Sequence, residues 1–311
     1  MTTQNIKESA GRFDFVGKAG LFAIISLVLT VIALAYLGVK GLNYGIDFKG
    51  GTEFQVKFDK GVGIDQLRKS VEDLKLGEVG VQSFGEESEF IIRFQGREGK
   101  SDKETNEILN EDIAKIRTEI NTKFAEFHPD IRRIDTVGPQ VGAELKRNGF
   151  LAIFYSLLVI LIYIAIRFDY KYAPGAVFCL AHDAILTLTV YTLLDKEINI
   201  AIIAAVLTLI SYSLNDTIVV FDRIRETEKM SFEKGYNFIV NRAINDTLKR
   251  TLITSITTCV SALCLFLLAG GVVADISLVV FIGVVYGTYS SIYVAAPTLM
   301  MMERLMEKKK V

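Results

Sequence analysis

The chain has 311 residues, a formal net charge of −1, and is 50% hydrophobic and 23% charged. A near-neutral balance supplies no basic field for nucleic acid, and an apolar share near one half is ordinary for soluble chains too. The arrangement discriminates: the apolar residues gather in charge-poor runs, several reaching the roughly 18 residues needed to cross the hydrocarbon core of a bilayer.

Residues 1–18 form a polar tail carrying Lys7, Arg12 and Lys18. The first run, Ala19–Val39, exceeds a signal-peptide core in length and is followed by no small-residue cleavage site, so a retained anchor is expected. Residues 40–149 then read as one folded domain. Gly51–Phe58 alternates as a strand, Ile64–Leu74 is helical, and Val79–Phe84 and Glu89–Phe94 are short strands around a Gly85–Ser88 turn. Asn106–Phe127 has helical periodicity and Ile131–Val137 reads as a last strand. The order βαββαβ predicts a ferredoxin-like α+β domain. It has no Cys and one His, His128, which gives neither a nucleophile–base pair nor a metal constellation. Residues 150–302 hold five more runs: Phe150–Ile166, Ala173–Leu194, Ile198–Phe221, Leu252–Leu268 and Val272–Met301. The last is too long for a straight span, so part of it should be loop or interfacial end. Residues 303–311 are a basic tail. The three cysteines, Cys179, Cys259 and Cys264, all lie inside apolar runs and read as buried small hydrophobes.

Lys and Arg in the short segments set the expected orientation. With both termini cytoplasmic, the inside holds the N-terminal tail, Arg167 and Lys171, the loop Asp222–Arg250, and Arg304 with Lys308–Lys310, while the outside short loops hold only Lys196. The 40–149 domain is then extracytoplasmic.

Ionisable groups within spans cost about 2.5–3.5 kcal/mol near a helix centre, so each is a functional candidate. Asp216 lies about one and a half turns inside the cytoplasmic end of the fourth span, on a stripe with Thr208 and Tyr212 and with Ser211 and Asn215 beside it. A structural hydrogen bond between helices is the alternative reading, at a price Asn would not carry. Arg250 opens the fifth span, followed at helical spacing by Thr254, Thr257, Thr258 and Ser261; it is either a charge facing the bundle or an anchor snorkelling to headgroups. His182 and Asp183 lie in the third span, and Asp183 reaches a depth similar to that of Asp216. The pair is a candidate proton relay or a helix-to-helix hydrogen bond. Gly283, Gly287 and Ser291 form a small-residue packing stripe in the sixth span.

These motifs resemble a known family. GLNYGIDFKGG (Gly41–Gly51), LAHDAIL (Leu180–Leu186), SLNDTIVVFDRIRE (Ser213–Glu226), RTLITSITT (Arg250–Thr258) and GTYSSIYVA (Gly287–Ala295) occur in the order found in the SecD/SecF family of the resistance-nodulation-division superfamily, in the form typical of its SecF branch. Lys49, where the family often has a small polar residue, and Pro174 are the departures. The resemblance implies a non-enzymatic translocase subunit of the inner (cytoplasmic) membrane, without cofactor or metal. It implies pairing with SecD, action at the SecYEG channel after SecA on a translocating polypeptide, and YajC and YidC as further candidate partners amid the membrane lipid. It implies that the proton motive force drives export, with Asp216 and Arg250, 34 positions apart, as the proton-coupling pair. Asp183, His182, Asn215, Thr254, Thr257 and Thr258 are then a candidate relay. The segments Lys40–Gly51 and Gly138–Gly149 would pass motion to the outer domain.

Three other readings compete. A small-molecule or lipid exporter of the same superfamily would usually hold both halves and two large outer domains. An intramembrane aspartyl protease could use Asp183 and Asp216, but its glycine-flanked Asp motif is absent. A passive scaffold leaves the cost of Asp216 unexplained.

Overall fold

The computed structural model describes residues 11–77, 79–84, 86–95, 102–230 and 234–309. Lys7, Lys310 and Gly85, which figure in the expectations above, lie outside the described residues. Two compact units form, one of residues 44–150 with 198–200, the other of residues up to 43, 151–197 and from 201 onward.

In the first unit, strand β1 (Gly51–Lys57) buries Thr52, Phe54 and Val56 and leaves Glu53, Gln55 and Lys57 half-buried, the alternation its sequence shows. It is followed by α2 (Ile64–Glu72), β2 (Val79–Phe84), β3 (Glu86–Phe94), α3 (Asp102–Lys123) and β4 (Asp130–Val137). The four strands form one antiparallel sheet in the order β2-β3-β1-β4. Phe54 pairs with Ile92 on one side and Ile134 on the other. Leu67 and Val71 of α2, Ile116 and Ile120 of α3 and Phe124 close a core with Phe54, Val56, Phe90 and Ile92. Each helix presents an apolar stripe to the sheet, which is why the elements fold as one layer on another. Strand β3 starts at Glu86, three residues before the expected Glu89.

The second unit is helical. Its elements are α1 (Val16–Lys40), α4 (Pro139–Arg167), α5 (Ala173–Leu193), α6 (Ile200–Met230), α7 (Tyr236–Leu268), α8 (Gly271–Ser290), a π-helical turn (Ser291–Ala295) and α9 (Ala296–Lys309). The first residues of α4 and α6 belong to the other unit. Among the described residues six helices are long and apolar enough to span a membrane, the last being the continuous run Gly271–Met306. The membrane window of α5 is 61% buried and that of α6 44%, against 11% for α1 and 6% for α4. Helices α5 and α6 therefore form the interior of the bundle, and the exposed apolar faces of α1 and α4 suit lipid or a partner. Pro174 sits in the first turn of α5, where its missing N–H costs nothing.

Two expectations change. The segment Asp222–Arg250, expected as a loop, is mostly helix, because α6 runs on to Met230 and α7 begins at Tyr236. Its buried residues Ile224, Ile239, Val240, Ala243 and Ile244 explain why: an amphipathic helix extends past the lipid, which a hydropathy window cannot register. In the last run a π-helical turn joins α8 to α9 where a loop was one of the two expectations, which leaves the interfacial end.

Polar clamps fasten the helix ends. Asn241 of α7 accepts the backbone N–H groups of Phe15 (2.8 Å) and Val16 (3.1 Å) and donates to Phe13 O (2.9 Å); Asn245 also holds Phe13. Lys171, in the α4–α5 turn, reaches Glu303 at 2.8 Å and Glu228 at 3.4 Å.

Candidate functional site

Helix α6 carries Asp216 on its buried face, with the side chain 3% exposed. Among the described residues one hydrogen bond reaches the carboxylate: Ser255 Oγ of α7 donates to Oδ2 at 3.4 Å. Thr288 Oγ1 of α8 stands 2.7 Å from Ser255 Oγ and also 2.7 Å from Val284 O. The hydroxyl of Thr288 has one proton for those two acceptors. With Asp216 as a carboxylate, the line runs Thr288 to Ser255 to Asp216. With Asp216 protonated, it can reverse and end on Val284 O. Three helices thus meet at a short hydroxyl chain whose direction follows the state of one acid.

Arg250, the other member of the expected proton-coupling pair, acts on the Asp216 carboxylate through its charge rather than by direct contact. It is exposed and, among the described residues, forms no ion pair with Asp216. It lines a cavity of about 750 Å³ shared with Asn215, Asp222 and Asp246. Asn215 is exposed on that cavity while Asp216, one residue on, is buried.

The hydroxyl stripe of α7 is shifted by one residue from the expected one. Thr257 and Ser261 are exposed, and Thr254 is partly so; their hydroxyls donate to carbonyls one turn back in their own helix. Thr258 bonds Thr254 O and Tyr212 Oη, each at 3.0 Å. The buried line is Thr247, Thr251 and Ser255. One position is 100° of helix rotation, and a helix polar on two adjacent stripes gives no internal sign of which faces inward.

His182 and Asp183 form a second cluster. Asp183 is fully buried; Ser213 Oγ of α6 donates to its Oδ2 at 2.6 Å and Ser290 Oγ of α8 at 2.7 Å. His182 Nδ1 lies 2.9 Å from Oδ1 and Cys179 Sγ lies 3.1 Å from Ser290 Oγ. The His182–Asp183 bond is therefore within one helix, while Asp183 itself joins α5 to α6 and α8. His182 Nε2 is buried without a hydrogen-bond partner among the described residues. The packing stripe makes this approach possible: a Cβ on Gly287 would stand 3.0 Å from Ser213 Cβ, and one on Gly283 would run into a Leu209 methyl. Ser213, Ser255, Thr288 and Ser290 escape a sequence reading because hydroxyls in spans usually bond their own backbone.

Comparison with known proteins places this arrangement. Residues 116–305 match the family described as protein export membrane protein SecD/SecF, C-terminal, and residues 35–62 match the SecD/SecF GG motif. The protein translocase subunit SecF of Calditerrivibrio nitroreducens is 44% identical over 95% of this chain and 95% of its own. The chain belongs to the SecF family. SecF of Magnetococcus marinus is 42% identical, over 94% of this chain and 93% of that one. A crystal structure of SecDF from Thermus thermophilus, titled a translocon-associated membrane protein, matches 94% of this chain with a TM-score of 0.81 and 36% identity. This chain spans 39% of that chain's length. A SecDF structure in a super-membrane-facing form matches 96% of it with a TM-score of 0.70. This SecF-family chain is thus a multi-pass membrane protein of the protein-export machinery, and the SecD/SecF C-terminal match contains both acidic clusters.

Proposed function

We propose that this SecF-family chain is one half of a proton-driven export motor that works with SecD. Asp216 carries the proton, and Arg250 supplies the positive field of the neighbouring cavity. The observation that carries the reading is a carboxylate buried in a span with, among the described residues, a single 3.4 Å donor. Such a group is expensive to keep unless its charge is used. A membrane potential supplies about 2.3 kcal/mol per charge per 100 mV, comparable with the cost of burying the ion and so able to drive its neutralisation. Neutralising Asp216 reverses the Ser255–Thr288 chain and loosens α6 from α7 and α8. His182, Asp183, Asn215, Thr254, Thr257 and Thr258 remain relay candidates, with Ser255 and Thr288 now the better placed.

Partnership with SecD is supported by the solved SecDF chain, of which this chain is the length of one part. Action at SecYEG on a polypeptide already engaged by SecA, with YajC and YidC nearby, follows from family membership. The basic flanks support an inner-membrane topology with both termini cytoplasmic and the 40–149 domain outside. The strand order of that domain, with β1 between β3 and β4, supports the ferredoxin-like class. No part of this role is enzymatic.

The test is potential-driven translocation in vesicles containing the chain with its SecD and the channel. Asp216→Asn should assemble normally, leave ATP-driven translocation intact and remove the proton-dependent increment. An unchanged increment in Asp216→Asn would falsify the reading.

A further inference from the structure

The glycine-rich segment Gly41–Gly51 has no role in the site described above, yet the structure gives it a defined place. Its residues Ile46–Lys49 form a single helical turn followed by Gly50 and Gly51 at φ +76° and +128°, where β1 begins. A Cβ on Gly50 would stand 3.0 Å from Pro139 Cα, and one on Gly142 would stand 3.0 Å from Gly50 N, so the turn lies tightly on the first residues of α4. Lys146 Nζ sits 3.9 Å from the centre of the Tyr44 ring. The other side of the turn holds the start of α6. Tyr44 bridges Ile198 in parallel, Gly45 N–H donates to Ile198 O at 2.9 Å, and Asp47 Oδ2 accepts from Ile200 N–H at 2.9 Å. Ile198–Ile200 belong to the same compact unit as the domain, although α6 runs from Ile200 to Met230.

The first N–H groups of a helix have no partner within it, and a carboxylate there is favoured by both hydrogen bonding and the helix dipole. A helix usually draws this cap from its own preceding residues. The Ile200 N–H also finds an acceptor more than 150 positions earlier in the chain, the Asp47 carboxylate. We infer that Asp47 is a positioning residue that couples α6, the helix carrying Asp216, to the first strand of the domain. An axial shift or rotation of α6 has to carry the Ile46–Gly51 turn with it or break the cap. The turn leads directly into β1, the strand paired on both sides. Resting on the proton-motor reading above, this assigns the motion a route: Asp216, the body of α6, Ile200, Asp47, β1. The two backbone links to Ile198 hold register, and the side-chain link makes the junction responsive to substitution.

The test uses the full chain with its SecD in lipid nanodiscs and in vesicles. Backbone amide exchange over residues 198–203 is compared in the wild type, Asp47→Ala and Asp47→Asn, and proton-dependent translocation is measured on the same three. Asp47→Ala should speed exchange at the α6 start roughly fivefold, as expected for loss of a cap, and should diminish the proton-dependent increment while sparing the ATP-driven step. Asp47→Asn keeps an acceptor and should restore both. Faster exchange with an unchanged increment overturns the coupling and leaves a structural cap only. Unchanged exchange in Asp47→Ala overturns the cap itself. An unchanged increment in Asp216→Asn instead removes the motor reading, and the exchange result for Asp47 still stands on its own.

Discussion

Asp183 and Asp216 are both buried acids in adjacent helices, and their surroundings differ in kind. Asp183 accepts from two serine hydroxyls at 2.6 and 2.7 Å and faces His182 at 2.9 Å, whereas Asp216 has one donor at 3.4 Å. Removing an acceptor that satisfies several buried donors costs about 1–3 kcal/mol. Asp183→Asn should therefore lower the thermal unfolding midpoint in detergent, while Asp216→Asn should leave it nearly unchanged; equal midpoints for the two variants would show that the donor count carries no energetic weight. Both acids were legible in the sequence as charges in apolar runs. Their partners were not, since Ser213, Ser255, Thr288 and Ser290 are ordinary residues on three helices that only tertiary packing brings together. Arg250 was legible as a cation at a helix entrance, but its direction was not: the choice between the Arg250 and Thr251 stripes is one residue wide.

At the scale of elements, alternation and apolar periodicity located the strands and helices of the domain to within a few residues, because each element buries one face on its own. Strand neighbours were assigned by analogy with a known pattern, since pairing is a long-range property. The helical extensions of α6 and α7 were invisible to hydropathy; buried apolar residues hold them, and charged contacts add to that hold. Lys171 is one of these. Burial alone would push its amine down, but Glu303 and Glu228 outweigh it, and the Lys171 pKa is raised above its ordinary 10.5. A lysine with a raised folded value stabilises fully below its ordinary value and loses that contribution as pH climbs through the raised one. Lys171→Gln should thus destabilise the bundle by about 2 kcal/mol. The deficit should stay constant from about pH 6 to 9 and shrink only above about 10.5. A deficit that varied across the neutral range would point to a different partner.

For the whole molecule, the interior helices α5 and α6 hold the acids and the peripheral α1, α4 and α7 present apolar faces, so chemistry is central and lipid or partner contact is outside. That division was readable from which runs contain charges and which do not. The Asp183 cluster also constrains how such a protein is made. Helix α5 leaves the ribosome before α6 and well before α8, yet Ser290, the last donor to Asp183, lies 107 residues further along the chain. Until then, α5 carries an acid worth about 3 kcal/mol against entering lipid unaccompanied. Nascent α5 should therefore linger beside the insertion machinery, and ribosome-stalled chains truncated before α8 should crosslink to it through α5, with release once Ser290 has emerged. An Asp183→Leu chain should skip the wait; equal dwell for both would show that the acid does not govern entry. Membrane insertion of this protein would then be gated by a hydrogen bond whose two ends are synthesised many seconds apart.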